Sequence, residues 1–427
     1  MKTRDLLHQP LYKFFIAGFV LWLLVFFVAP IEATQGFKSN TLIFIALSII
    51  GYTLGYIFFK KIRLLKKQKT LLNTVPLSKQ FIIGLIAIVY LSWAIRYFDV
   101  FYVRGVSFSN TIEANRALMG TAKLNVFYIL GAIFKELYFV PLLLVLHKFR
   151  DNKILVSFSS LAFVFPLIMP FLRGTRKDIF LTAALLIIIL IVTRVVILKL
   201  RTIIKIGIAV LVLNVIFYKL LMQRETPQNV EATTHIDYLL DYATYNDLLR
   251  PNENYKEKIK TSSGIEKALL FSYVHLSQYY CHGIFELNYL IQDKSKSKLF
   301  LNGEYNFHLF KKALASFGLI DYDSSLLHYA LPRQNTYITF MGALFLDFGW
   351  FGLLGMLLMG MGQRYIDEEI EARKYLYLGL YVFFIIFNLF LPVINLIRGT
   401  GVYFIFASLL IIICYKILIR LKIKASL

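Results

Sequence analysis

Long apolar runs alternate with short polar links along nearly the whole chain. A helix needs about 20 apolar residues to cross the hydrocarbon core of a bilayer. Ten runs approach that length: Tyr12–Ala29, Thr41–Phe59, Phe81–Phe98, Leu124–Leu146, Ile154–Leu172, Ile179–Leu198, Ile203–Met222, Tyr337–Met359, Tyr375–Ile394 and Val402–Ile419. The predicted fold is all-α, a polytopic integral membrane protein with about 10 transmembrane helices. The first run is too long for a signal-peptide core, and no small-residue cleavage site follows it. One interval breaks the rhythm: Gln223–Thr336, over 100 residues, is the only segment able to form a small domain. The pattern therefore divides the chain into residues 1–222 with seven spans, 223–336 as one large extracytoplasmic helical loop, and 337–427 with three spans. Within the loop, helical spacing is expected over Ile236–Leu249, over the aromatic-rich Gly264–Ile291, and over Phe307–Phe317, which stops at Gly318. Such helices suit the membrane interface.

Hydrophobic residues make up 58% of the 427 positions and charged residues 17%, a composition far from that of a soluble domain. A formal charge of +22 invites a nucleic-acid reading, but its distribution argues against one. With the N-terminus placed in the cytoplasm, the cytoplasmic ends and loops hold 24 Lys/Arg against 6 acidic residues, a net of +18. The large loop holds 12 against 13, a net of −1. That is the positive-inside pattern, and anionic inner-leaflet lipid accounts for it. An even span count then puts both termini inside. The two cysteines, Cys281 in the loop and Cys414 in the last span, should lie at different depths, so no disulfide is expected.

Against this topology, the turn Leu172-Arg173-Gly174-Thr175-Arg176-Lys177-Asp178 stands out. It sets Arg173, Arg176 and Lys177 between two apolar runs on the outward side, where basic residues are disfavoured. Guanidinium clamps phosphate oxygens in bidentate fashion, and a helix start near Asp178 offers free N–H groups to an anion. A bound polyanion such as a lipid pyrophosphate would offset the bias; plain snorkelling to the interface is the blander account. The turn Asn395-Leu396-Ile397-Arg398-Gly399-Thr400-Gly401 repeats the Arg-Gly-Thr triplet at the same expected depth. A second constellation is the spacing Ser272, His275, Tyr279, His282, Glu286, which lines one helical face. It offers a general base for a sugar hydroxyl, or else a solvated face of an interfacial helix. His328 and Arg333 lie where the loop re-enters the membrane, and Arg224 where it leaves. Lys135, Glu136, Lys219 and Asp347 fall inside apolar runs and each needs a partner, for Asp347 an arginine from another span. No zinc spacing, P-loop or Rossmann fingerprint occurs, so neither a metal nor a cofactor is expected.

The overall plan resembles the Wzy-type polymerases of O-antigen, capsule and related oligosaccharide repeat units. The likeness is carried by about ten spans with one large outer loop, by Leu172–Asp178 opening a span, and by Asn335-Thr336-Tyr337 leading into Asp347-Phe348-Gly349-Trp350-Phe351-Gly352. The resemblance implies a glycosyltransferase of the bacterial inner membrane. It would transfer a growing glycan from undecaprenyl diphosphate to the terminal sugar of a new lipid-linked repeat unit, with no metal and no nucleic acid. It implies Arg173, Arg176, Lys177 and Arg398 as the diphosphate clamp, with Arg224 and Arg333 as second-tier groups. Asn335, Tyr337 and Tyr279 are candidates for the glycan, and His282, Glu286 and His328 for the base. A chain-length regulator and a flippase would be partners alongside membrane lipids. Rival readings are an O-antigen ligase-like transferase, a flippase or transporter of the same lipid-linked sugars, and a non-catalytic assembly or sensor protein.

Overall fold

The computed structural model describes residues 9–65, 77–121, 126–197, 199, 201–202, 204–205, 207, 232–297, 300–321, 331, 333, 336–372 and 374–425. The protein is an α-helical membrane protein. Among the described residues six helical stretches are long and apolar enough to cross a bilayer: Leu11–Val28, Ser39–Phe59, Lys79–Val103, Lys153–Arg173, Phe340–Glu371 and Ile397–Leu418. Tyr375–Phe390 is a shorter apolar stretch. The run expected over Leu124–Leu146 is broken. Helices Val126–Lys135 and Phe139–Lys148 flank a tighter turn at Glu136–Tyr138, where Lys135 and Glu136 pair with one another. The run expected from Ile179 forms the helix Arg176–Val192, and Ile203–Met222 with Lys219 lies largely outside the described residues.

Local chemistry sets the helix starts. Ser78, Asn152, Asn252 and Thr339 each accept a backbone N–H from the first turn they precede. The helix Leu378–Phe390 is buried along almost its whole length and forms the centre of the bundle. It packs against the helices Leu11–Val28, Phe139–Lys148, Arg176–Val192 and Gly352–Glu371. The last of these lies directly on the helix Ser39–Leu65. A Cβ on Gly55 would fall 2.0 Å from the Leu357 carbonyl oxygen, and one on Gly360 2.1 Å from that of Tyr52, so only glycine permits this approach. A polar staple crosses the same seam. Tyr52 donates to Gln363 Oε1, Gln363 to Asn388 Oδ1 at 2.9 Å, and Asn388 to the Leu11 carbonyl at 2.9 Å. Each of these buried polar groups thus has a partner.

The large loop is tied to the bundle. The helix expected over Ile236–Leu249 ends at Tyr242, because Asn246 Nδ2 donates to the Leu239 and Leu240 carbonyls and caps the last turn. Leu249–Pro251 then forms a strip of antiparallel sheet with Ile31–Ala33, an addition to the all-α plan. The helix Gly264–Ser297 packs on Leu11–Val28 and on the helix Phe340–Phe348. The helix Glu304–Ser316 ends before Gly318, as its left-handed backbone requires. Cys281 and Cys414 are both unpaired.

Candidate functional site

The polar stripe on Gly264–Ser297 faces inward over its C-terminal half. His282 and Glu286, one turn apart, are 1% and 3% exposed, which sets aside the solvated-face account for both. His282 Nδ1 lies 3.2 Å from the Gln278 carbonyl and 3.0 Å from that of Tyr279. Carbonyls only accept, so Nδ1 carries the proton and Nε2 keeps its lone pair in the neutral ring. Nε2 is buried with no hydrogen bond among the described residues, beside the Tyr337 backbone. Burial lowers the imidazole to about 4, so the ring is neutral at ordinary pH. The rings of Tyr245, Tyr279 and Tyr337 surround it at 4.6, 5.9 and 6.2 Å.

Glu286 Oε2 lies 3.3 Å from Arg333 Nε, while Oε1 is buried without a hydrogen bond among the described residues. Burial raises its carboxyl to about 7 against the opposing pull of Arg333, and the Asp247 carboxylate adds to the rise. Arg333 also donates to Asp247 Oδ2 at 3.0 Å and to the Thr244 carbonyl, and it lies over the Tyr289 ring. Its guanidinium is thus engaged beside Glu286. His282, Glu286, Arg333, Tyr279 and Tyr337 form one cluster.

A second cluster is cationic. At Gly174, left-handed backbone ends the helix Ile168–Arg173, and the helix Arg176–Val192 follows at once. Thr175 donates to Asp178 at 3.1 Å, and Arg116 Nε donates to the Arg173 carbonyl at 2.8 Å, which fixes the turn. Arg173 Nε is buried without a hydrogen bond among the described residues. Lys177 feels the charges of Asp178, Arg398 and Glu136, and Arg173 that of Arg96. Arg96 and Arg104 both bind the fully buried Asp99, at 2.6 and 2.8 Å, and both lie over the Tyr128 ring. The Arg398 guanidinium lies 4.0 Å from the centre of the Tyr305 ring. Among the described residues no carboxylate forms a salt bridge with Arg173, Lys177 or Arg398.

Among the described residues, Arg96 and Arg104 share the carboxylate of Asp99, Lys135 pairs with Glu136, and Arg173, Lys177 and Arg398 form no salt bridge. Uncompensated charge is costly in a low-dielectric surround, so the cluster is suited to an anion.

A half-open groove of about 320 Å³ is lined by one residue of each cluster. Lys177 and Tyr279 both line it, and its walls are otherwise mainly apolar, including Phe180, Leu276, Tyr280, Phe390 and Leu396. Tyr279 packs edge-on against Tyr337 at 5.3 Å, and Tyr337 lies near Tyr305, whose ring is 4.0 Å from the Arg398 guanidinium carbon. The side chain of Arg176 lies outside the described residues, as do Arg224, His328 and Asn335.

Arg96, Asp99, Arg104, Tyr128, Tyr305 and His308 are additions that sequence reasoning did not select. Arg96 carried a usable signal, an arginine within an apolar run. Tyr305 and His308 carried none, because their place beside Arg398 comes from tertiary packing. No family model, curated protein or solved structure matches the chain. Among the described residues no group of His, Cys, Asp and Glu has the arrangement of a metal site.

Proposed function

We propose that this protein is a polyprenyl-diphosphate-dependent polysaccharide polymerase. It would join undecaprenyl-diphosphate-linked oligosaccharide repeat units on the outer face of the bacterial inner membrane. In this reading about ten spans cross the membrane and both termini lie in the cytoplasm. The observation that carries the proposal is an apolar groove lined by Lys177, which lies in the field of Arg398 and, like it, forms no salt bridge among the described residues. A polyprenyl diphosphate is the complement, an isoprenoid chain joined to a head group bearing about two negative charges.

In the proposed reaction, the groove holds the isoprenoid and Lys177, Arg398 and Arg173 hold the diphosphate. Glu286 as carboxylate takes the proton of an acceptor hydroxyl on the incoming repeat unit. That oxygen forms the new bond to the anomeric carbon of the donor glycan. The bond from the anomeric carbon to phosphate breaks, and its electron pair leaves with undecaprenyl diphosphate, whose growing charge the cations stabilise. A carboxyl near 7 suits a general base at neutral pH better than an imidazole near 4. Arg333 orients Glu286, and neutral His282 within its tyrosines borders the acceptor. Both substrates are tethered to the membrane, so much of the rate gain is positional.

The test is what accumulates when the gene is deleted. A polymerase leaves single repeat units on the lipid carrier, and purified protein then lengthens them. Full-length glycan accumulating on the lipid carrier would instead indicate the ligase-like transferase, and loss of outward display of single units a flippase.

A further inference from the structure

Arg398 sits in an irregular stretch. Its ψ of 124° and the φ of +80° at Gly399 interrupt the winding over Ile397–Gly401, so the local helix does not fix the guanidinium. A chain of buried hydrogen bonds reaches it from another element. Asp347 is 0% exposed at the end of the helix Phe340–Phe348. Its partners are the backbone N–H groups of Tyr305 and Asn306, at 2.8 and 3.1 Å, and Asn306 Nδ2 at 2.7 Å. These donors replace the arginine expected from sequence. Asn306 Oδ1 accepts from Asn395 Nδ2 at 2.8 Å. Asn395 Oδ1 in turn accepts from the backbone N–H groups of Ile397 and Arg398, at 2.9 and 3.3 Å.

The same carboxylate therefore acts on both sides of the guanidinium. It fixes the first turn of Glu304–Ser316, which carries the Tyr305 ring, and through Asn306 and Asn395 it fixes the backbone from which Arg398 extends. We infer that Asp347, Asn306 and Asn395 are positioning residues that hold Arg398 over Tyr305 in the orientation that binds a lipid diphosphate. The inference rests on the proposed diphosphate site and adds how that site is kept in shape. A fully bonded chain of buried polar groups has few alternative arrangements, so it transmits position. Asp347 is the anchor: being wholly buried, it must keep its donors.

A double-mutant cycle tests this on the full chain in lipid nanodiscs, with undecaprenyl diphosphate as the probe. Arg398→Ala should weaken binding on the order of 10- to 100-fold. Asn395→Ala should cost on the order of 10-fold in the wild-type background and close to nothing in the Arg398→Ala background. A merely structural role predicts equal losses in both backgrounds, and that result overturns the inference while leaving the diphosphate site intact. No effect of Arg398→Ala overturns the diphosphate site itself. Should Asn395→Ala fail to fold, Asn306→Ala enters the same cycle, with additivity again the contrary result.

Discussion

Alanine at Arg398 is expected to lower repeat-unit transfer by roughly 10²–10³-fold, the usual cost of removing one donor aimed at developing charge. Its surroundings make the effect large. The guanidinium carbon lies 4.0 Å from the centre of the Tyr305 ring, and among the described residues no carboxylate forms a salt bridge with it, so its charge is available to a ligand. Lys177 shares its field and lines the groove. Lysine at position 398 keeps the charge but loses the planar fork, so recovery should be partial. Transfer of labelled repeat units in membranes, with polysaccharide ladders on gels, reads the result. Unchanged ladders in Arg398→Ala, with the protein still inserted, would remove the clamp from the account.

Glutamine at Glu286 should cost on the order of 10²–10⁴-fold, the range of a positioned general base. It should also change the pH profile. The Glu286 carboxyl is raised to about 7, so it holds its proton more tightly than an ordinary carboxylic acid. Transfer in the wild type should fall as pH drops through about 7, by about tenfold per unit below it. In Glu286→Gln that limb should vanish from the residual rate. His282, lowered to about 4, stays neutral across this window and contributes no limb of its own. Linkage adds a stability effect. The contribution from protonated Glu286 is fully present below the ordinary carboxyl range and is lost as pH rises through about 7. Persistence of the limb in the variant would assign the base elsewhere.

Much of the site could be read from the chain because its parts are short-range. The spacing of Tyr279, His282 and Glu286 follows from helical geometry, and the helix is present over Gly264–Ser297. The turn at Gly174 is local too, a left-handed residue between an arginine and a new helix start. Burial was not legible. The stripe through His282 and Glu286 reads as equally suited to water or protein until Leu11–Val28 and Phe340–Phe348 are packed against the helix. Pairings were harder still. Asp347 called for a cation by charge alone, yet two backbone N–H groups and an amide satisfy it, from the first turn of the helix Glu304–Ser316, about 40 positions away. Arg333, grouped with the clamp by charge and depth, bonds to Asp247 and Glu286, a choice made by tertiary distance. The span pattern was clearest for helices facing lipid, such as Leu11–Val28, and least clear at Lys135-Glu136, where an internal ion pair accompanies a tighter turn.

Photo-crosslinking with a benzophenone-tagged polyprenyl diphosphate tests the central claim most directly. The label should fall on peptides containing Phe180, Tyr280 and Phe390, which wall the groove, and excess inorganic pyrophosphate should reduce it by competing at Lys177 and Arg398. Label spread instead over the exposed bundle face, at Leu24 or Phe58, and indifferent to pyrophosphate would contradict the account.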